Sequence, residues 1–166
     1  MYKDVVKISE EKAKYLKKNK ELVKKLEDLA NVKILIKENL VEIESENSLN
    51  ILKAKSVITA INRGFEFEKA LYLLDDEYRL EIIDITQYSG KSKNRLTELR
   101  GRVIGKNGRI KKLIEEMTET FLAIHGKTVS IIGRWDKIFV ARRAVELVLS
   151  GAMFETLYRF LEKNKV

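Results

Sequence analysis

Gly105 and Gly108 stand three residues apart with Lys106 and Asn107 between them, inside Gly101-Arg102-Val103-Ile104-Gly105-Lys106-Asn107-Gly108-Arg109-Ile110-Lys111-Lys112. The chemistry this spacing suits is the holding of a phosphate–sugar chain. Two glycines remove the Cβ atoms that would keep a backbone at a distance, and the helix that follows presents free N–H groups to an anion. Cations surround the pair. From Lys91 to Lys112 there are nine basic residues (Lys91, Lys93, Arg95, Arg100, Arg102, Lys106, Arg109, Lys111 and Lys112) against one acid, Glu98. That segment carries net +8, the charge of the whole chain, so the other 144 residues hold 24 cations and 24 anions. Charge focused in this way makes nucleic acid the first partner to consider.

Other chemistries fit less well. Gly101-x-x-x-Gly105-Lys106-Asn107 has one residue too few for the phosphate loop of NTPases, and Asn107 stands where a magnesium-binding hydroxyl is needed. His125 is the only histidine, and it reads as a turn residue before Gly126 rather than a base contact. Asp75-Asp76-Glu77 reads as an acidic solvated turn rather than a metal site. No Ser/His/Asp set or paired-carboxylate site is legible, and no cysteine supplies a thiolate or disulfide. The expectation is a non-enzyme with no cofactor, no metal and no catalytic residue.

The 166 residues suffice for one medium domain or two small ones, and 45% hydrophobic content allows real cores. No apolar run reaches the roughly 18 residues of a membrane span. Met1-Tyr2-Lys3-Asp4-Val5-Val6 lacks the pattern of a secretory signal, so the expected location is cytoplasmic with no membrane partner.

The elements needed to position the two glycines repeat along the chain. Asp4–Ile8 reads as a strand and Ser9-Glu10-Glu11 as a helix start. Glu21–Ala30 has a helical period with Leu22, Leu26 and Leu29 on one face, and strands follow at Val32–Ile36 and Val41–Glu44. Leu49, Leu52, Val57, Ile58 and Ile61 then keep helical spacing up to Arg63-Gly64. The second half replays this as a strand at Leu80–Ile85, a short helix at Arg95–Arg100, the glycine loop and a helix at Arg109–Thr118. Strands at Thr120–Ile124 and Val129–Ile132 and a helix at Trp135–Leu149 complete it, with Trp135 and Phe139 expected in a core. A shift of 88 residues lays Glu21–Ala30 on Arg109–Thr118, and Val41 and Ile43 on Val129 and Ile131. The prediction is two copies of a β-α-α-β-β-α unit, residues 1–76 with a linker helix within Phe65–Asp76 and residues 77–166 with a terminal helix at Met153–Lys163. In that last helix Phe154, Leu157, Tyr158 and Leu161 are expected to pack inward.

A β-α-G-x-x-G-α-β-β-α order with Val103-Ile104-Gly105-Lys106-Asn107-Gly108 at its centre resembles the type I KH domain of RNA-binding proteins. The resemblance covers the whole second unit, with Ile114, Thr118 and the Val129–Gly133 strand at matching places. One departure is Lys111, where the family carries an apolar residue; Ile110 precedes it. Nearly the whole chain is similar to the archaeal and eukaryotic KH protein of small-subunit ribosome assembly, in eukaryotes the partner of the endonuclease that trims the 3′ end of pre-rRNA. That similarity rests on Arg63-Gly64-Phe65 with Glu68–Leu74, Gly133-Arg134-Trp135-Asp136, Ala141-Arg142-Arg143-Ala144 and Leu149-Ser150-Gly151.

The resemblance implies an α+β fold of two tandem type I KH domains, three-stranded sheets with helices on one face. It implies single-stranded rRNA of the small-subunit 3′ region as ligand, with ribosome-assembly factors and the pre-small-subunit particle as partners. The loop Gly105, Lys106, Asn107 and Gly108 would clamp about four nucleotides, with phosphates facing Lys106 and Arg109. Ile104, Ile110, Ile114 and Ile124 would floor the base groove, and the edge of the Thr120–Ile124 strand would meet base edges. Arg102, Arg109 and Lys112 would flank it and add salt-sensitive affinity. In the first unit the matching stretch is Lys17-Lys18-Asn19-Lys20, where both glycines are lysine, so that unit reads as a scaffold or protein-binding surface. The rival expectations are a general RNA-binding KH protein of transcription or RNA decay, and a KH-fold protein–protein adaptor.

Overall fold

Alternation in the first residues produces strand β1 (Tyr2–Lys7), and Ser9 converts the chain to helix. Its hydroxyl accepts the Lys12 N–H at 3.1 Å, and Glu10 and Glu11 sit in the positive first turn of α1 (Glu10–Lys18). Helix α2 (Lys20–Ala30) follows after Asn19 alone and ends where Asn31 turns left-handed at φ 56°. Strands β2 (Lys33–Lys37) and β3 (Leu40–Ser45) form a hairpin. Asn47 then caps α3 (Ser48–Asn62) through the Leu49 N–H at 2.8 Å. A one-turn helix, α4 (Phe67–Ala70), continues as a 3-10 turn over Leu71–Leu74.

The computed structural model describes residues 1–165 and divides after Asp76 into two compact units, each α+β. In the first the sheet order is β1-β3-β2, all antiparallel, with Val6 and Ile36 both opposite Val41. Val41 and Ile43 are fully buried, and Leu16, Leu26, Ile51, Val57, Ile58 and Ile61 are buried with them. Helix α3 turns Ile51, Ala54, Val57 and Ile61 inward, while Leu49 and Leu52 are exposed. Leu29 is likewise exposed on α2. Those three leucines share the helical period of their neighbours but fall on its outer margin.

The second unit opens with β4 (Tyr78–Asp84). Asp84 Oδ1 accepts both the hydroxyl and the N–H of Thr86, which holds its carboxyl below the usual aspartate range and starts a short helix, α5 (Thr86–Ser89). Next come α6 (Lys93–Ile104), a 3-10 turn over Lys106–Gly108 and α7 (Arg109–Thr118). Strands β5 (Phe121–His125) and β6 (Thr128–Arg134) and helices α8 (Ile138–Leu149) and α9 (Phe154–Lys163) complete it. The sheet order is β4-β6-β5, again antiparallel. Leu99, Val103, Ile114, Val129, Ile131 and Val145 form the centre of one core, which Leu157 and Leu161 of α9 join. Trp135 and Phe139, expected in that core, lie outside it. Trp135 sits in the turn before α8 with its indole N–H donated to Glu77 at 2.8 Å, and Phe139 is 67% exposed. Helix α8 starts three residues later than its spacing suggests, leaving Trp135 before it, and Phe139 falls on the side of α8 opposite Ile138, Ala141, Val145 and Val148.

The 88-residue repeat extends to backbone detail. Asn31 and Glu119 are both left-handed ends of their helices, and Glu38 and Gly126 are both left-handed hairpin residues. Glu27 takes the Ile34 N–H at 2.8 Å, as Glu115 takes the Leu122 N–H at 2.9 Å. No helix of the described residues is long and apolar enough to cross a membrane.

Candidate nucleic-acid interface

Helix α6 is longer than the periodicity suggests. Ser92 caps it through the Arg95 N–H at 3.1 Å, and it runs straight through Gly101 to Ile104 with Leu99 and Val103 fully buried. It stops because Gly105 takes φ 76°, a conformation that opens the turn while its own N–H still reaches Gly101 O at 2.8 Å. Gly105 is required twice over. A Cβ there would stand 2.5 Å from Ile110 Cγ1 and 2.8 Å from the Ile110 backbone nitrogen. Gly108 also has φ 76°, but a Cβ there would meet only open space. Between them Asn107 is left-handed at φ 57°, which asparagine tolerates better than most residues.

The result is a tight, outward-facing turn feeding directly into α7. Its N-cap is Gly108, which has no side chain to satisfy the first-turn N–H groups, so the positive end of the helix is presented at the loop. Lys106 is exposed here and Lys112 one turn further on, and neither has an ion pair among the described residues. Arg102 is partly neutralised, because Glu98 Oε1 takes both Arg102 and Arg95 at 2.9 Å. Arg109 lies over the ring of Phe154, its Cζ 4.3 Å from the centroid. Lys111 pairs with Glu115, one turn further along α7, at 3.9 Å.

Three of the four isoleucines expected as groove floor are half-buried beside the loop: Ile104, Ile110 and Ile124. Ile114 is not a lining residue. It is fully buried one turn below Ile110, among Leu99 and Val103, and supports the floor from beneath. Thr120 stands outside β5, its hydroxyl 2.8 Å from that of Thr118 in a buried pair. Strand β5 is an edge of its sheet, with β6 on one side only. Alternate residues of such an edge turn their N–H and C=O outward. Leu122 is one, and Glu115 already occupies its N–H; Ile124 is the next, and its backbone groups face the groove.

The first unit differs at the corresponding place. Asn19 joins α1 to α2 at φ −113° and donates its N–H to Tyr15 and Leu16 carbonyls, so there is no left-handed turn. Lys17 and Lys18 belong to α1 and Lys20 begins α2. Sequence reasoning missed the Glu115 bond to β5 and the Phe154 partner of Arg109. The first was signalled by Glu27 at the equivalent position, the second only by the tertiary fold.

The model of the second KH domain of PNO1, described as a eukaryotic type KH-domain (KH-domain type I), matches residues 79–166. A KH domain-containing protein of Methanocaldococcus jannaschii is 41% identical over 122 residues, 74% of this chain and 53% of that protein. The crystal structure of Dim2p from Pyrococcus horikoshii is similar with a TM-score of 0.89 and 34% identity, over 99% of this chain and 100% of that one. The same organism's complex of a/eIF2alpha, aDim2p and rRNA contains a chain similar with a TM-score of 0.88 and 35% identity, over 98% of this chain and 93% of that one. The chain spans about half the length of the curated relatives it matches. With the loop, the helix pair and the sheet order already those of a type I KH domain, the chain belongs to the PNO1/Dim2 family of KH-domain proteins.

Proposed function

We propose that this protein binds single-stranded RNA through the Gly105–Gly108 turn of its second unit, without catalysis, during assembly of the small ribosomal subunit. The observation that carries the reading is the turn itself. Two left-handed glycines and Asn107 expose backbone at the uncapped start of α7, beside the unpaired Lys106 and Lys112 and the edge strand β5. A phosphate chain can lie against the turn while unstacked bases rest on Ile104, Ile110 and Ile124 and reach the Ile124 backbone. Gly105, Lys106, Asn107, Gly108 and Arg109 contact the backbone in this reading, with Arg102 and Lys112 at its margins.

The first unit is read as a second KH copy, residues 1–76, whose loop has been lost. The element order, the sheet order and the 88-residue correspondence support this. It serves as a scaffold with weak electrostatic attraction to RNA. The relative in complex with rRNA supports rRNA as the ligand; its small-subunit 3′ region, and ribosome-assembly factors in the precursor particle as partners, are part of this proposal. The test is equilibrium titration by fluorescence anisotropy of a single strand copying the 3′ end of small-subunit rRNA, a scrambled strand and a duplex, at two salt concentrations. Tighter binding of the 3′-end strand that persists at the higher salt supports the assignment. Equal, salt-labile binding to all three contradicts it.

A further inference from the structure

Helix α9 brings a pair of aromatic rings to the loop that charge and periodicity do not reveal. Leu157 and Leu161, each 1% exposed, anchor it to the second core. Phe154 and Tyr158 occupy i and i+4 on its outer face, 40% and 42% exposed, and their rings stack at 6.1 Å with a 22° interplanar angle. Helix α9 begins at the same edge as α7. Arg109, the first residue of α7, lies over the Phe154 ring at 4.3 Å. The turn before α9 passes against α6, where a Cβ at Gly151 would stand 3.8 Å from Arg102 Nη1. The Glu162 carboxylate beside Tyr158 raises its hydroxyl above the usual phenol range.

Exposed aromatics on a helix are ordinary. Two stacked rings with a loop arginine laid on one of them are not a random surface, because each member limits the motion of the next. We propose that Arg109, Phe154 and Tyr158 form a stacking platform for a nucleobase of the same RNA strand, immediately flanking the nucleotides held by the Gly105–Gly108 turn. This rests on the RNA-binding reading above and extends its footprint beyond the groove.

A base is the occupant the surroundings favour. The platform is continuous with a strip of uncompensated positive charge at Lys106 and Lys112, which draws a polyanion rather than an apolar peptide. Proteins that hold single strands combine phosphate-tracking cations with aromatic faces, since every base offers a π-face whatever its sequence. Arg109 serves both ends: its charge faces the phosphates, and its position over Phe154 presents a flat cation on which a base can add a further layer.

The test uses the full chain and a set of single-stranded RNAs, from a tetranucleotide to an octanucleotide lengthened in turn at each end, with 2-aminopurine at successive flanking positions. Wild type is expected to gain on the order of tenfold in affinity when one particular end is lengthened. At that position 2-aminopurine fluorescence is quenched by stacking. Phe154→Leu, which keeps apolar volume on α9, and the double variant Phe154→Ala/Tyr158→Ala lose the gain and the quenching while tetranucleotide affinity stays close to wild type. Phe154→Trp keeps both. The same length gain in Phe154→Leu as in wild type, or no quenching at any flanking position, overturns the platform and leaves the rings as a surface for protein. Failure of wild type to bind the tetranucleotide at all overturns the reading of the loop, and the platform with it.

Discussion

The two glycines of the loop are not equivalent, and the difference is measurable. Gly105 is confined by both its φ and the wall formed by Ile110, whereas Gly108 is confined by φ alone. Gly108→Ala is expected to cost about 1 kcal/mol, the strain of a left-handed alanine. Gly105→Ala adds a collision with backbone that has no flexible end to yield, so it is expected to cost clearly more and to move the start of α7. Thermal or urea denaturation of the two variants checks the order; equal losses would show that Ile110 yields freely. The glycine pair was legible in the sequence because only glycine tolerates what the loop needs. The roles of individual cations were not. Glu98 ties down Arg95 and Arg102, and Arg109 is paired with a ring 45 positions later in the chain, which no spacing rule announces.

At the level of elements, the sequence located nearly every helix and strand, and its errors have common physical causes. Gly101 reads as a break, yet α6 continues through it because Leu99 and Val103 hold both sides of that turn in the core. Leu29, Leu49 and Leu52 fit a helical period and are exposed, and Phe154 and Tyr158 are half-exposed where Leu157 and Leu161 are not, because periodicity defines a stripe but not its width. The four-residue α5 has no pattern of its own and depends on Asp84 accepting from Thr86. The junction at Asn19 visibly lacks glycines in the sequence, and its backbone explains what that means: α1 and α2 join through one residue with no exposed turn. The Lys17→Ala/Lys20→Ala variant should therefore weaken binding to all single strands by a similar, salt-dependent factor and leave their rank order intact. Titration of the 3′-end and scrambled strands checks this. Loss of discrimination as complete as that caused by damage to the second loop would contradict the division between the units.

For the whole molecule, charge and repetition tell the same story from different directions. The chain carries +8, and residues 91–112 alone account for it, so the electrostatic attraction for a polyanion is concentrated on α6, the loop and the start of α7. The two units share one sheet order, down to the matching Glu27 and Glu115 bonds, but where the first two long helices of each unit meet, positive-φ residues occur only in the second, at Gly105, Asn107 and Gly108. The measurement that tests this most directly is the salt-dependent affinity of wild type and Lys106→Asp/Asn107→Asp for one single-stranded RNA. The two substitutions place negative charge on the exposed turn without touching either glycine or the core. Affinity is expected to fall by at least about tenfold, and the slope of log affinity against log salt to shrink by about 0.7 for each phosphate that the variant no longer neutralises. A variant that binds as wild type does, with an unchanged slope, would contradict the assignment of RNA binding to the Gly105–Gly108 turn.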